Sequence, residues 1–143
     1  MMEQHLSTVT CQTTAHVSAP KGPPPLPLRA ELHYRVTDPY AVRLSLGPST
    51  GPLTTWTFAR ELLAEGLRRP AGPGDVMVIP RYCHHPHSIR IVLSNLAGTA
   101  LIELAAAEVD AFLQQAFALV PLGTESDHLD VDGAITVLMG RSL

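Results

Sequence analysis

The stretch Leu53-Thr54-Thr55-Trp56-Thr57-Phe58-Ala59-Arg60-Glu61-Leu62-Leu63-Ala64-Glu65-Gly66 changes its periodicity midway, and that change decides the fold class. Up to Phe58 the residues alternate, with Trp56 and Phe58 on one face and Thr55 and Thr57 on the other, as in a strand with one face in a core. From Ala59 to Glu65 strong helix formers take over. Gly66 stands where a left-handed residue would end the helix, and Pro70 prevents continuation. Phe58, Leu62 and Leu63 then dock a short helix on the sheet to which the strand belongs.

Toward the N-terminus, Ala30 to Val36 and Ala41 to Leu46 alternate with period two on either side of Asp38-Pro39, which predicts two antiparallel strands joined by a short Asp-Pro turn. Gly47 to Pro52 is the next turn. His5 to about Ala19 is polar and rich in Thr and Val, with Leu6, Val9, Cys11 and Val17 as sparse apolar points, and suits an edge or partly exposed strand. Pro20-Lys21-Gly22-Pro23-Pro24-Pro25-Leu26-Pro27 lies in between. Pro fixes φ and lacks a donor, so this run reads as a Pro-rich loop at about residues 20–28 with polyproline II character. A PxxP ligand for an aromatic groove would look similar.

Toward the C-terminus the order repeats. Gly72-Pro73-Gly74-Asp75 leads into a strand at Val76 to Ile79, followed by Pro80, a His-rich connection, a strand at Ile89 to Leu93, a turn at Asn95 to Gly98 and a last strand at Thr99 to Leu104. Val109, Phe112, Leu113, Ala116, Phe117 and Val120 then form the stripe of an amphipathic helix closed by Pro121. A terminal helix is expected from about Asp130, with Ile135, Leu138 and Met139 on its apolar side. The plan is α+β: one strand-rich domain over residues 1–143 with one short helix and two C-terminal helices.

Composition narrows the function. The chain has 143 residues, 45% of them hydrophobic and only 16% charged, with 13 Pro and 10 Gly, which fits one globular, turn-rich core. Its net charge is −3 and Lys21 is the only lysine beside nine arginines, whereas a protein that grips a phosphate backbone presents a basic face and a high pI. Nucleic acid is therefore disfavoured as a partner. No stretch of about 20 apolar residues is left uninterrupted, and Met1 to His5 lacks a basic start followed by an apolar run, so a cytoplasmic protein without a transmembrane segment is expected. Cys11 and Cys83 form neither a CxxC nor a zinc spacing and read as reduced, buried thiols.

No phosphate loop, GxSxG elbow or HExxH pair is present, so the residues offer no catalytic motif and no cofactor is expected, although catalytic groups can assemble from distant positions. Cys83-His84-His85-Pro86-His87 holds competent metal ligands, but their spacing matches no common site and successive strand residues point to opposite sides, so no metal is expected. In Asp127-His128-Leu129-Asp130 a His between carboxylates could serve as a base; the start of a helix explains it more cheaply. Tyr34, Tyr40, Trp56 and Tyr82 could stack nucleobases, yet a chain with so few aromatics must spend most of them on its core. For a protein interface, which favours aromatic and Arg anchors, the candidates are Tyr40, Arg43, Trp56 and Arg60. Against this, Trp56 fits the core, and Arg60 with Glu61 fits a solvated helix face.

The segments Asp38-Pro39-Tyr40-Ala41-Val42, Trp56 to Leu67, Pro70 and Gly72 to Val76, followed by Ile91-Val92-Leu93-Ser94 and Leu101-Ile102-Glu103, closely resemble the SsgA-like family of sporulation and cell-division regulators of actinomycetes. The resemblance runs from about Cys11 to Leu138. It implies a small non-catalytic cytoplasmic protein that helps to position division septa, the SsgB-type member recruiting the tubulin-like division protein FtsZ. It further implies a strand-rich, bell-shaped antiparallel β-barrel of whirly-like form, association with other SsgA-like proteins, and a homotrimer. The alternative function is a single-stranded nucleic-acid-binding protein on that same whirly-like scaffold.

Overall fold

The structure is a computed structural model that describes residues 7–48, 50–72, 74–81 and 87–128. Among the described residues seven antiparallel strands make one sheet: β1 (Thr8–Ser18), β2 (Leu26–Arg35), β3 (Asp38–Gly47), β4 (Thr54–Ala59), β5 (Val76–Arg81), β6 (Ser88–Asn95) and β7 (Gly98–Ala105). The helices are α1 (Arg60–Gly66), between β4 and β5, and α2 (Ala106–Leu119), after β7; a 3-10 turn follows at Glu125–His128. The strand order is β4-β3-β2-β1-β7-β6-β5. Two runs of consecutive hairpins are thus joined where β1 meets β7, at only three residue pairs, His16 with Glu103, Val17 with Ile102 and Ser18 with Leu101.

The alternation read in the sequence places one residue in two in the core. Leu32 and Tyr34 on β2, Val42 and Leu44 on β3, Phe58 on β4, Ile89 and Ile91 on β6, and Ile102 and Leu104 on β7 are all buried, together with Leu63 of α1 and the α2 stripe Val109, Phe112, Leu113 and Ala116. The sheet must curl. In a flat seven-stranded sheet the outer strands would lie about 29 Å apart, yet α1, about 10 Å long, touches β3 and β4 at one end and β5 at the other. The result is a curled half-barrel in which β4 and β5 are the terminal strands and a helix spans between them.

Several local expectations are corrected. β1 is partly exposed as expected, with Val9 and Ala15 buried and Thr8, Thr10 and His16 in water, but it sits in the middle of the strand order and not at an edge, since it pairs with both β2 and β7. The ladder enters the Pro-rich run: β2 begins at Leu26, and Pro27 lies opposite His16. Pairing between β2 and β3 begins only at Arg29 with Gly47, so Pro27 needs no donor on that side. The β2–β3 turn is Val36-Thr37, with Asp38 and Pro39 already in β3. Pro80 likewise falls within β5, a terminal strand, where a missing N–H is tolerated.

Gly66 is also explained differently. Its φ is not positive, and the helix passes to an ordinary right-handed Leu67. What requires glycine is proximity, since a Cβ there would lie 2.1 Å from Val78 Cγ1. The terminal helix expected from Asp130 lies outside the described residues, and the Glu125–His128 turn is the last element before it.

Candidate interaction surface

Arg60 opens α1 and was expected to face water or a partner. It is 1% exposed. One nitrogen, Nη1, donates to the Tyr34 hydroxyl at 3.0 Å and to the carbonyls of Ala116 at 3.1 Å and Val120 at 2.8 Å; Nη2 donates to Glu125 Oε2 at 2.9 Å. The guanidinium carbon stands 4.0 Å from the centre of the Phe117 ring and 5.0 Å from that of Tyr34. Helices end with unpaired carbonyls, and α2 has no basic residue in its last turn. Arg60 supplies that cation from a neighbouring helix, so it clamps α1, α2 and the Glu125 turn to β2 and does not face solvent.

Glu125 and Tyr34 complete the clamp. Glu125 Oε1 accepts the Gly123 N–H at 2.9 Å. Hydrogen bonds from its own amide, from Arg60 and from Gly123 hold the Glu125 carboxyl below its ordinary range, outweighing the opposing effect of burial. Tyr34 donates to the Pro39 carbonyl at 3.0 Å, and burial pushes its phenol pKa up, with the Arg60 charge acting against this. A buried Tyr34 is not a surface on which a base could stack. Sequence reading missed Glu125 because its partner is 65 residues away and nothing local marks it.

The other three candidates do not form one site. Tyr40 is 47% exposed at the mouth of a cavity of about 240 Å³ lined also by Ala59, Arg60, Glu61 and Glu125. Trp56 faces inward opposite Leu44 and packs half-buried against the core, and it is the only tryptophan of the chain. Arg43 lies on the opposite, outer face, between His33 and Thr57, and pairs only at 3.6 Å with Asp38. Tyr40 and Arg60 therefore meet at one cavity, while Trp56 and Arg43 stand back to back on neighbouring strands near the open edge of the sheet.

A larger recess runs between the helices. Leu67 and Arg68, just after α1, and Asp110, Leu113, Gln114 and Phe117 of α2 line a groove of about 520 Å³; it shares Leu67, Arg68 and Asp110 with a hollow of about 660 Å³ that extends to His87 and Ala106. Its floor is mainly apolar and its rim is charged, the composition of a protein-docking surface. Leu26, Leu96 and Leu122 are also exposed, but at separate strand ends and turns, which is ordinary for a protein surface.

Among the described residues no group of three His, Cys, Asp or Glu is placed to hold a metal ion, and no helix is long and apolar enough to cross a membrane. Residues 82–86, with Tyr82 and most of the His-rich loop, lie outside the described set. Cys11 is half-buried against the core, and burial, with Glu108 nearby, pushes its thiol pKa up.

Comparison with known proteins gives these surfaces a biological setting. Residues 28–125 match the family model described as Streptomyces sporulation and cell division protein, SsgA. The sporulation-specific cell division protein SsgB of Frankia casuarinae is 38% identical over 132 residues, covering 92% of each chain. SsgB of Streptomyces coelicolor is 42% identical over 117 residues, 82% of this chain and 85% of its own. The crystal structure of an SsgA-like sporulation-specific cell division protein from Thermobifida fusca superposes with a TM-score of 0.83 at 36% identity, covering 94% of this chain and 98% of the other. With the motif order, the curled sheet and these relatives in agreement, the chain belongs to the SsgA family of sporulation and cell division proteins.

Proposed function

We propose that this protein is a non-catalytic adaptor of sporulation-specific cell division, which positions the septum by recruiting the division protein FtsZ and works in the cytoplasm at division septa. In this reading it associates with other SsgA-like proteins and acts as a bell-shaped, whirly-like homotrimer. The relatives named SsgB are sporulation-specific cell division proteins, and an adaptor needs docking surface, not reacting groups. The observation that carries the reading is the groove between α1 and α2, apolar at its floor, charged at its rim and held in shape by the Arg60 clamp beneath it.

The test images a tagged copy together with FtsZ in sporulating cells, alongside an Ala118→Arg/Gln114→Arg variant. Both residues are exposed in the groove, so the fold is kept. The intact protein is expected at septal sites before constriction, and the variant is expected to lose FtsZ from those sites. A protein that never reaches septa overturns the adaptor reading. A variant that recruits as well as the parent removes the groove from it.

A further inference from the structure

The two ends of the sheet are finished differently. On β5 the outward backbone is taken up: Ala71 and Val78 exchange two hydrogen bonds, at 2.9 and 2.8 Å, and Pro80 has no N–H to offer. β4 has no such cover. Among the described residues no backbone hydrogen bond reaches its outer side, and Thr54, Thr55, Thr57 and Ala59 are exposed. It also lacks the charges and prolines that usually protect a terminal strand from pairing; Thr54-Thr55-Trp56-Thr57-Phe58-Ala59 is uncharged and strongly strand-forming.

We infer that β4 is a docking edge that accepts an extended, acidic segment of a partner protein as an eighth strand, with apolar and acidic residues alternating along that segment. Strand addition takes its affinity from main-chain hydrogen bonds and its specificity from alternate side chains, and both faces of β4 state a preference. On the inner face the half-buried ring of Trp56 gives an apolar neighbour to the incoming strand. On the outer face the row His33, Arg43, Thr57 leads to the edge. Among the described residues Arg43 is held there by a long contact to the half-exposed Asp38, and across the short Thr57 its guanidinium can reach a carboxylate on the added strand. A basic segment would meet Arg43 as a like charge. The inference concerns the chemistry of the docked segment and does not rest on which division protein is recruited.

The test uses the full chain and two capped decapeptides, one alternating valine with glutamate and one alternating valine with lysine. Trp56 emission reports binding from the edge itself, and hydrogen exchange locates it. The glutamate peptide is expected to shift Trp56 emission to shorter wavelength, to protect amides within Thr54–Ala59 and to bind at least about threefold more tightly than the lysine peptide, the scale of a cross-strand charge pair. Arg43→Glu should reverse that preference while leaving the fold unchanged, since the Arg43 side chain is half-exposed on the outer face, away from the core. Equal binding of both peptides by the parent, protection that falls outside β4, or no binding of either peptide overturns the inference. So does protection of β4 that grows with protein concentration when no peptide is added, which would assign the edge to a second copy of the chain.

Discussion

Arg60 Nη2 and Glu125 Oε2 lie 2.9 Å apart with almost no access to water, although 65 residues separate them in the chain. The contact fixes the turn that follows α2 against the start of α1, and with the Arg60 bonds to the Ala116 and Val120 carbonyls it sets how the two helices meet. Removing one member of a buried pair leaves the other unpaired, which costs far more than the pair contributes.

Arg60→Ala is therefore expected to destabilise the protein by roughly 3–5 kcal/mol, as read from the urea midpoint at constant slope. The Val120 carbonyl and Glu125 Oε2 lose the guanidinium, and the Ala116 carbonyl is left with the Val120 N–H. Arg60→Met/Glu125→Gln, which removes both charges and keeps most of the volume, should recover a large part of the loss. A double variant no more stable than Arg60→Ala would show that the hydrogen bonds of the guanidinium, and not an unpaired Glu125 charge, hold the clamp.

Acid should weaken the same contact. The folded state holds the Glu125 carboxyl below the ordinary glutamate value of 4.5, so its contribution is complete above that value and is lost as pH falls through the lower, folded one. Urea titrations of the parent and Glu125→Gln from pH 6 to pH 3 should converge at the acid end. Parallel curves throughout would contradict the assignment.

Gly66→Ala forces a Cβ into Val78, 2.1 Å from Cγ1 and 2.4 Å from Cβ. Overpacking of this kind costs about 1–3 kcal/mol. Val78→Gly, which removes both clashing atoms and destabilises the parent because Val78 is fully buried, should cost less in the Gly66→Ala background than in the parent. A double variant whose losses simply add would mean that helix and strand do not meet there.

Cys11 should react slowly. Burial and the Glu108 carboxylate both push its thiol up, and the thiolate is the reactive form. In a Cys83→Ser variant, alkylation by iodoacetamide at pH 8, followed by mass spectrometry, should be many times slower than that of an unfolded control. Equal rates would place Cys11 in open solvent.

Strand and helix identities were legible wherever the pattern was local. The alternation from Ala41 to Leu46 lies within β3, the break at Ala59 is the junction of β4 and α1, and the Val109 to Ala116 stripe faces the core. What stayed hidden is set by partners distant in sequence. Arg60 looks like a surface residue until Glu125, Tyr34 and the end of α2 arrive around it. Pro27 interrupts a ladder only where its missing N–H would face a paired strand, and pairing with β3 has already ended there. Gly66 fits a helix-ending signal, and only the approach of Val78 shows that the missing Cβ is the reason. Arg43 and Trp56 were both selected as interface anchors, but their opposite faces follow from strand parity and their closeness to an open edge follows from the strand order.

The short seam between β1 and β7 bears on how the chain reaches this structure. Four strands on one side of it and three on the other pair only with their neighbours in sequence, contacts that form quickly because little chain must be closed. The three pairs of His16 to Ser18 with Leu101 to Glu103 instead close most of the polypeptide into one loop, a slow and entropically costly step. Folding should thus proceed as two fast-forming units that wait for one another. Native-state opening should run in reverse, with the seam amides exchanging at lower free energy than the hairpin interiors on either side.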